Sequence, residues 1–395
     1  MSKNKIYRIG ILTTHPIQYY SPIYKALNKQ PNINLTVYYC HKQTKKDQSR
    51  AGFGVEFDWD IDLLDGFQYK FLKNISKEPN THSFFGCNTP EINSIIIENN
   101  FDAFIIQGWY LKSFWQAIIS CKLSGTPIVV RGDSQLNTKR PFFIKILKYP
   151  FYKFFISRFD ACLAVGKRSK EYFRYYGANT KKIFLSPHCI DNEFFKKKSD
   201  ELINKKTVIR NKYNIRNNYI VFLFVGKFIS KKRPLDFLYA IKKAQVKNPN
   251  IFGLLVGEGD LRYELESNIK KDNINAEILG FINQSELPTI YSISDVIVLP
   301  SDAGETWGLV INEAMACRLP AIVSNEVGCS EDLIISGVTG DIFSKGNIIE
   351  LSELIIKYSN NLFKLYKMGN NAEKHIRKYS INETVKGIEN MLINL

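Results

Sequence analysis

The feature that most constrains the fold is an alternation of short apolar runs with longer amphipathic stretches, repeated in both halves of the chain. The apolar runs are Arg8–Thr13, Leu35–Cys40, Ala103–Ile106, Ile128–Val130, Ala161–Val165, Ile220–Val225, Phe252–Val256, Ala276–Leu279, Val296–Leu299 and Ala321–Ser324. Stretches with helical periodicity separate several of them, namely Tyr110–Ser124, Lys167–Tyr176, Pro234–Lys247 and Leu261–Lys271. Buried strands that alternate with helices form parallel sheets, so the sequence predicts an α/β fold with one such sheet in each half.

The length of the chain predicts two domains, because 395 residues exceed what one ordinary core contains. Hydrophobic residues make up 45 % of the chain, which allows each half its own interior. The polar segment KKKSDELINKK at residues 196–206 is typical of a linker. We therefore expect domains at residues 1–195 and 207–375, and a terminal helix over residues 376–395 that packs back toward the first domain.

The composition indicates the cellular compartment and the classes of binding partner that we expect. The seven cysteines show no C-x-x-C spacing, and the N-terminus lacks the pattern of a signal peptide, so we expect a reducing cytoplasm. No apolar run approaches the ~18 uncharged residues of a spanning helix. The net charge of +16 favours nucleic acid, anionic lipid or phosphorylated substrates without choosing among them.

The most informative segment is DVIVLPSDAGETWGLVINEAMACRLPAIVSNEVG, at residues 295–328. It predicts a buried strand, a loop carrying Glu305, a helix that begins near Gly308 and carries Glu313, and a second strand. Ligands bind beyond the carboxyl ends of parallel strands, where the unpaired amides at a helix N-terminus suit a diphosphate. Two glutamates at this spacing are usually solvated surface residues, but Glu313 lies within the apolar run GLVINEAMA, an awkward place for an idle charge.

Two further segments follow predicted strands. In VGKFISKKRP, Lys227 and Lys232 stand between a strand end and a helix, where two ammonium groups can neutralise a departing diphosphate. A solvated lysine cluster is the simpler interpretation of that segment alone. In VGEGD, Gly257 allows a backbone to approach a ligand closely, although a plain turn explains so short a motif equally well.

Taken together, these segments resemble family 4 of the retaining glycosyltransferases, the glycosyl transferases group 1, which have the GT-B fold. The resemblance covers VGKFISKKRP, LLVGEGD, LGFINQSELPTIYSISDVIVLPS, ETWGLVINEAMA, LPAIVSNEVGCSEDLI and GVTGDIF, in that order. It implies two Rossmann-like domains whose parallel sheets face each other across a cleft, with the donor held by the second.

The resemblance also assigns roles. It implies that Glu313 binds the ribose of the nucleotide, that Glu305 contacts the donor sugar, and that Lys227 and Lys232 bind the diphosphate. The base would meet the backbone near Gly280 and Phe281. The candidate catalytic residues are Glu305, Lys232 and Lys227, and the candidate donor-binding residues are Glu313, Gly308, Leu309, Val310, Thr306, Trp307, Gly257 and Phe281.

The implied reaction is a retaining transfer of a sugar from a nucleotide sugar to a glycan or lipid-linked acceptor, in the synthesis of cell-surface polysaccharide or another glycan. The implied enzyme needs no cofactor and no metal ion. Another GT-B activity, such as nucleotide-sugar epimerisation or hydrolysis, stays open as an alternative. A basic nucleic-acid-binding protein is less favoured, because no recognisable nucleic-acid-binding motif accompanies the charge, and we expect no nucleic-acid partner.

The first half predicts the acceptor side, and there the resemblance is looser. Gln107 stands where many family members have a histidine, and Arg318, in the second half, replaces a usual glycine. Polar or aromatic side chains that follow predicted strands of the first half are the acceptor-side candidates: His15, Gln18, Gln107, Trp109, Arg131 and Asp133. For Trp109 a packing role is the stronger alternative, and Arg131 and Asp133 could pair with each other.

A basic and aromatic stretch predicts a membrane surface. Residues 138–159, TKRPFFIKILKYPFYKFFISRF, contain no acidic residue and interleave lysine and arginine with phenylalanine and tyrosine. Such a mixture suits the headgroup region of an anionic leaflet, unless the aromatic residues are core and the lysines a solvated face. We expect Pro150 to divide the stretch into two short helices, and peripheral attachment at the inner face of the cell membrane.

Overall fold

A computed structural model describes residues 5–49, 54–138 and 141–395. The chain forms two α/β units. The first contains the described residues of 5–44 together with Asp62–His188 and Ile381–Leu395. The second contains the described residues of Lys45–Ile61 together with Cys189–Ser380.

Strands and helices alternate along the chain. Up to His188 the elements are β1 (Tyr7–Thr13), α1 (Ser21–Asn28), β2 (Ile33–Tyr39), α2 (Lys45–Gln48), β3 (Gln68–Phe71), α3 (Glu91–Asn99), β4 (Ala103–Ile106), α4 (Lys112–Ser124), β5 (Ile128–Gly132), α5 (Phe142–Ile156), β6 (Ala161–Ala164), α6 (Lys167–Tyr175) and β7 (Ile183–Leu185). After it come α7 (Asn192–Leu202), α8 (Lys206–Lys212), β8 (Ile220–Val225), α9 (Pro234–Gln245), β9 (Ile251–Val256), α10 (Arg262–Lys271), β10 (Ala276–Ile278), α11 (Leu287–Ile293), β11 (Val296–Leu299), α12 (Leu309–Ala316), β12 (Ala321–Ser324), α13 (Ser330–Leu333), β13 (Gly340–Phe343), α14 (Ile348–Ser359), α15 (Leu362–Ile376) and α16 (Ile381–Ile393).

Both units are built on a parallel sheet, as the sequence predicts. The first sheet has the order β3-β2-β1-β4-β5-β6-β7, and the second has the order β10-β9-β8-β11-β12-β13. In each sheet the order reverses direction at one pair of strands, β1 with β4 and β8 with β11. At such a reversal the loops after the two strands diverge to opposite faces and leave a crevice, which is where ligands of open α/β sheets bind.

The central strands are buried because helices cover both faces of each sheet. All six residues of β8 are buried, and Leu223 is in register with Leu254 of β9 and Ile297 of β11. Because both faces of the sheet are buried, these strands appear in the sequence as continuous apolar runs rather than as alternating apolar and polar residues.

The strands that the sequence analysis did not single out are β3, β7 and β13, and all three lie at sheet edges. In β3 three of four residues are exposed, and in β7 no residue is fully buried. Edge strands such as β3 and β7 pair on one side only and need less apolar surface, so hydrophobicity gives little signal for them. In β13 three of the four residues are buried, but its sequence GDIF begins with a glycine and an aspartate and contains no continuous apolar run.

The segment at residues 196–206, which the sequence analysis interprets as a linker, is helical. It spans the end of α7, a 3-10 turn at Ile203–Lys205 and the start of α8. Its charges are used in packing, because Asp200 pairs with Arg318. That ion pair accompanies a left-handed backbone at Arg318, with φ of 63°, so the arginine adopts the conformation that a glycine would supply there.

Helix α5 runs without interruption from Phe142 to Ile156, and the expectation that Pro150 divides it is wrong. Aromatic packing on both sides of the proline explains the continuity. The rings of Tyr149 and Tyr152 lie 6.0 and 5.4 Å from the ring of Tyr176. An interior proline removes one helical hydrogen bond, which such contacts can offset.

Helix α16 belongs to the first unit, where it packs on α1, β6 and β7. The contact with β7 is close: a Cβ at Gly387 would lie 2.0 Å from the backbone oxygen of Leu185. Thr384 donates a hydrogen bond of 2.7 Å to the backbone oxygen of Pro187. A glycine therefore lets the last helix pack directly against backbone.

Gly387→Ala should destabilise the first unit by about 1–3 kcal/mol, because the added methyl group overlaps a backbone oxygen and the helix must move away. Thermal or urea unfolding would measure the change. Lys386→Ala, one position earlier and solvent-exposed, is the matched control and should cost less than about 1 kcal/mol. Equal stability of the two variants would contradict the close packing.

Candidate functional site

The loops after β8 and β11 meet at the carboxyl edge of the second sheet, where the strand order reverses. The amide of Asp302 donates to the backbone oxygen of Lys231 at 2.9 Å, and the amide of Glu305 donates to the backbone oxygen of Asp302 at 2.9 Å. These bonds join the lysine segment to the loop that carries Glu305. Two segments chosen separately from the sequence thus belong to one surface.

At this surface Lys232 and Glu305 form an ion pair between Nζ and Oε2. Their side chains are only 15 % and 14 % exposed, so water screens the pair weakly. Lys232 lies in a 3-10 turn at Ser230–Lys232 that leads into α9. The candidate catalytic cation and carboxylate are therefore direct neighbours.

Lys227 lies beside this pair and is half-buried. Burial first, and then the charges of Lys232 and Lys231, lower the pKa of its ammonium group from 10.5 to about 8, against an opposing effect of Glu305. An anion placed here would reverse these effects, because it would compensate the clustered positive charge. The site is thus suited to a group with several negative charges.

Glu313 is fully buried in α12, which explains its position in an apolar run. The hydroxyl of Tyr291 donates to Oε2 at 2.6 Å, and the amide of Gln284 donates to Oε1 at 3.4 Å. A buried carboxylate is costly unless hydrogen bonds hold it. Tyr291 and Gln284 are the residues that the sequence analysis missed; their signal was a tyrosine and a glutamine in the segment before β11.

The N-terminus of α12 is shaped by glycines. Gly308 has a left-handed φ of 101°, and a Cβ there would lie 2.7 Å from Cδ2 of Leu299. Leu309 and Val310 begin the helix and are half-buried. Gly328 supports the loop before it, because a Cβ at Gly328 would lie 1.8 Å from the backbone oxygen of Thr306. Backbone therefore packs on backbone, which sets the path of the chain between Glu305 and the helix.

Trp307, a candidate donor-binding residue, turns its indole inward. The ring is 4 % exposed, and Nε1 donates to Oδ1 of Asn312 at 2.9 Å. Its neighbour Thr306 is half-buried in the same loop. The side chain of Trp307 thus stabilises the loop, and its backbone oxygen accepts from the amide of Cys329 at 3.0 Å.

Gly257 has a structural reason for being glycine. A Cβ there would lie 2.0 Å from the backbone oxygen of Gly226, and the amide of Gly257 donates to the backbone oxygen of Gly280 at 2.8 Å. The loops after β8, β9 and β10 are therefore joined backbone to backbone. Phe281 follows Gly280 in this array and is half-buried.

In the first unit, three polar candidates lie at the ends of β1 and β4, where that sheet reverses its order. His15 and Gln18 are half-buried in the loop after β1, and Nδ1 of His15 lies 2.9 Å from the hydroxyl of Thr14. Gln107 follows β4 and donates to the hydroxyl of Tyr24 at 2.8 Å. The reversal brings these side chains to one edge of the sheet.

Trp109 follows β4 but has a packing role. Its Nε1 donates to the hydroxyl of Tyr152 at 3.2 Å, and its ring stacks at 6.3 Å on Tyr172. The indole packs against the core cluster of the first unit.

Arg131 and Asp133 have different partners. Arg131 is 5 % exposed, lies over the ring of Tyr20 and donates to the backbone oxygen of Ser186 at 3.3 Å. Asp133 lies 4.0 Å from Nε2 of His188, a residue that the sequence analysis did not consider. Burial, with a smaller effect of Arg131, lowers the pKa of His188 well below its ordinary value, so the imidazole is neutral near pH 7.

Two findings concern the described residues as a whole. No cluster of three or more histidine, cysteine, aspartate or glutamate side chains suited to a metal ion occurs among them. Within the same residues, no helix has the length and apolar character needed to cross a bilayer.

Comparison with known proteins places the second unit in a family context. Residues 205–375 match the family described as glycosyl transferases group 1. The chain is 28 % identical over 227 residues to an uncharacterized glycosyltransferase of Methanocaldococcus jannaschii, covering 56 % of this chain and 62 % of the relative. It is 27 % identical over 285 residues to the UDP-Gal:alpha-D-GlcNAc-diphosphoundecaprenol alpha-1,3-galactosyltransferase of Escherichia coli, covering 70 % of this chain and 72 % of the relative.

A solved structure is similar over nearly the whole chain. The crystal structure of the Anabaena protein HepE in complex with UDP and glucose matches with a TM-score of 0.72 and 16 % identity, covering 98 % of this chain and 100 % of the other. An identity this low supports the shared fold. Two Rossmann-like units with parallel sheets, as the sequence predicts for GT-B, are thereby confirmed.

The lowered pKa of Lys227 predicts its reactivity toward an acylating reagent, which attacks only the neutral amine. Reactivity should rise through a midpoint near pH 8, so that about a tenth of the amine is neutral at pH 7 and about nine tenths at pH 9. Mass spectrometry after brief acetylation across this range would give the midpoint, which does not depend on accessibility. A reactivity that climbs only above about pH 10, as for an ordinary lysine, would contradict the burial effect.

Proposed function

We propose that the chain, whose residues 205–375 match the family of glycosyl transferases group 1, transfers a sugar from a nucleoside diphosphate sugar to a glycan or lipid-linked acceptor. The observation that carries the proposal is the ion pair of Lys232 with Glu305 at the reversal of strand order in the second sheet, in the same strand-loop-helix unit as the buried carboxylate of Glu313. The E. coli relative, whose name specifies a UDP-sugar donor and a lipid-linked acceptor, supports the same class.

The sugar, the diphosphate and the ribose of the donor bind in that order along this edge. Glu305 binds the sugar, whose hydroxyls donate hydrogen bonds to its carboxylate. Lys232, Lys227 and the first amides of α12, at Leu309 and Val310, take the diphosphate. Glu313 accepts the ribose hydroxyls, and its hydrogen bond from Tyr291 holds the carboxylate in place for them.

The transfer proceeds with retention and without a bound metal ion. The bond from the anomeric carbon to the phosphate oxygen breaks, and the acceptor oxygen bonds to the same carbon on the same face. The acceptor proton passes to the departing phosphate oxygen. Lys232 and Lys227 stabilise the charge that develops on the diphosphate, which is the work that a divalent cation would otherwise do.

The test compares isosteric variants of the two glutamates. UDP is the first probe, followed by other nucleoside diphosphates, with binding measured by calorimetry and transfer measured with the matching labelled nucleotide sugars. Glu313→Gln should weaken nucleoside diphosphate binding about tenfold or more, because a buried charged acceptor is lost. Glu305→Gln should leave binding within about threefold but lower turnover by about 100-fold or more.

Glu353→Gln, an exposed glutamate on α14, is the matched control and should change neither quantity. Equal binding by folded Glu313→Gln and parent protein would refute the ribose assignment. Hydrolysis of the nucleotide sugar without transfer to any glycan or lipid-linked acceptor would favour a hydrolase instead.

We further propose that helix α5 attaches the enzyme to an anionic membrane surface. Large apolar side chains of this helix are more than half exposed, namely Phe142, Phe143, Ile146, Leu147, Phe151 and Phe154. Lys139 and Arg140, which belong to the same basic stretch, lie outside the described residues. An exposed apolar face with interleaved lysines, free of acidic residues, is typical of a helix that lies in a headgroup layer.

The neighbouring helix extends the same apolar surface. On α4, Ile119 is 55 % and Leu123 78 % exposed. Between the two helices lies a cavity of about 340 Å³, with apolar walls that include Ile118 and Phe154, and with Arg158 at its lining. Apolar side chains can contact the acyl chains of a bilayer, and the basic side chains beside them can pair with the lipid phosphates. This surface therefore fits an anionic lipid membrane.

Phe142→Ala with Phe143→Ala should lower the fraction bound to vesicles about tenfold or more, because two exposed rings no longer enter the bilayer. Co-sedimentation with phosphatidylcholine vesicles, with and without phosphatidylglycerol, at low and high salt, would measure this. Phe84→Ala with Phe85→Ala removes an adjacent exposed pair elsewhere in the first unit and should have no effect. Binding that ignores lipid charge, or the same loss in both double variants, would exclude α5 as the attachment site.

A further inference from the structure

A short segment of the N-terminal half is part of the second unit. Residues 54–61, GVEFDWDI, alternate strictly in burial: Val55, Phe57, Trp59 and Ile61 are half-buried, and the residues between them are exposed. This alternation is that of an extended chain with one side packed against a surface. The segment therefore presents an apolar, partly aromatic side to the second unit and a polar side to solvent.

The segment is held by hydrogen bonds to the loop between β10 and α11. Nδ2 of Asn283 donates to the backbone oxygen of Asp58 at 2.8 Å, and the amide of Ser285 donates to the carboxylate of Asp60 at 3.1 Å. The ring of Phe57 lies 4.2 Å from the ring of Phe281. A backbone bond, a side-chain bond and a ring contact together define where the segment lies.

The loop to which it binds is adjacent to the proposed ribose site. Gln284, between the two residues that hold the segment, donates to Glu313 at 3.4 Å. Gly54, at the start of the segment, lies beside Gly259 in the loop after β9. The segment therefore follows the ends of β9 and β10, beside the loop that contacts Glu313, whereas Glu305 pairs with Lys232 in the segment after β8.

This inference rests on the proposed function: if Glu305 meets the sugar and Glu313 the ribose, the base extends toward the ends of β9 and β10. We propose that Phe57 and Trp59 form, together with Phe281, an aromatic wall of the nucleobase site. The rings of Phe57 and Trp59 meet edge to face at 5.0 Å, so the two support each other. An aromatic wall binds a flat, neutral base by stacking.

The charge of the segment agrees with this assignment. Its exposed side carries Glu56, Asp58 and Asp60, three acidic residues in a chain with a net charge of +16. Asp58 pairs with Lys45 and Asp60 accepts from Ser285, but residues 54–61 offer no cation to a diphosphate, so the segment suits the uncharged end of the donor. Positive charge at Lys227 and Lys232 and negative charge along this segment would thus orient the nucleotide.

The experiment measures the dissociation constant of UDP, or of GDP or ADP if the parent protein binds one of these more tightly. Phe57→Ala should raise that constant about fivefold or more, because a stacking partner is lost. Phe57→Tyr, which keeps the ring, should restore the parent value within about twofold. Phe57→Leu, which keeps an apolar side chain without the aromatic face, should resemble Phe57→Ala.

Phe363→Ala, which removes an exposed phenylalanine on α15 of the same unit, is the matched control. Pyrophosphate, which lacks a base, should bind Phe57→Ala and parent protein equally in a thermal-shift titration. A dissociation constant that is unchanged or lower in Phe57→Ala would overturn the proposal. A lower constant would show that the segment occludes the site. Equal losses for pyrophosphate and nucleotide would also overturn it. A parent protein that binds no nucleoside diphosphate would refute the proposed function itself.

Discussion

The second unit is organised around a carboxylate that has no contact with solvent. Glu313 is fully buried in α12, and such a charge is tolerated only where donors hold it. Tyr291 of α11 and Gln284 of the preceding loop are two such donors, so one side chain links α12 to α11 and to the loop before it. Hydrogen bonds in a buried network of this kind hold the carboxylate in a defined position.

Around this carboxylate the loops at the sheet edge are joined through backbone rather than through side chains. Gly257 packs on Gly226, and Gly328 packs on Thr306, at distances that exclude any Cβ. Such glycines are commonly interpreted as ligand contacts, yet here their first role is to bring loops together. The result is a compact edge at which Lys232 and Glu305 form an ion pair and Lys227 lies close to both.

Charge is distributed unevenly over the molecule, and the distribution matches the chemistry proposed for each surface. Two lysines stand where a diphosphate would bind, acidic residues line the outside of residues 54–61, and α5 carries lysines among exposed aromatic rings. The overall charge of the chain describes none of these surfaces. The net charge alone therefore could not distinguish a phosphorylated substrate from a lipid surface. The positions of the charges favour a phosphorylated substrate at the second sheet and a lipid surface at α5.

By itself the sequence determined the fold class and the central strands, because strands buried on both faces appear in the sequence as continuous apolar runs. It did not reveal the edge strands β3, β7 and β13, since β3 and β7 need little apolar surface and β13 begins with a glycine and an aspartate. It also suggested a break at Pro150, where aromatic contacts hold one helix together. Tertiary structure alone decided that residues 54–61 join the second unit and that Tyr291 holds Glu313, because both depend on contacts between residues far apart in the chain, and such contacts follow from packing rather than from local pattern.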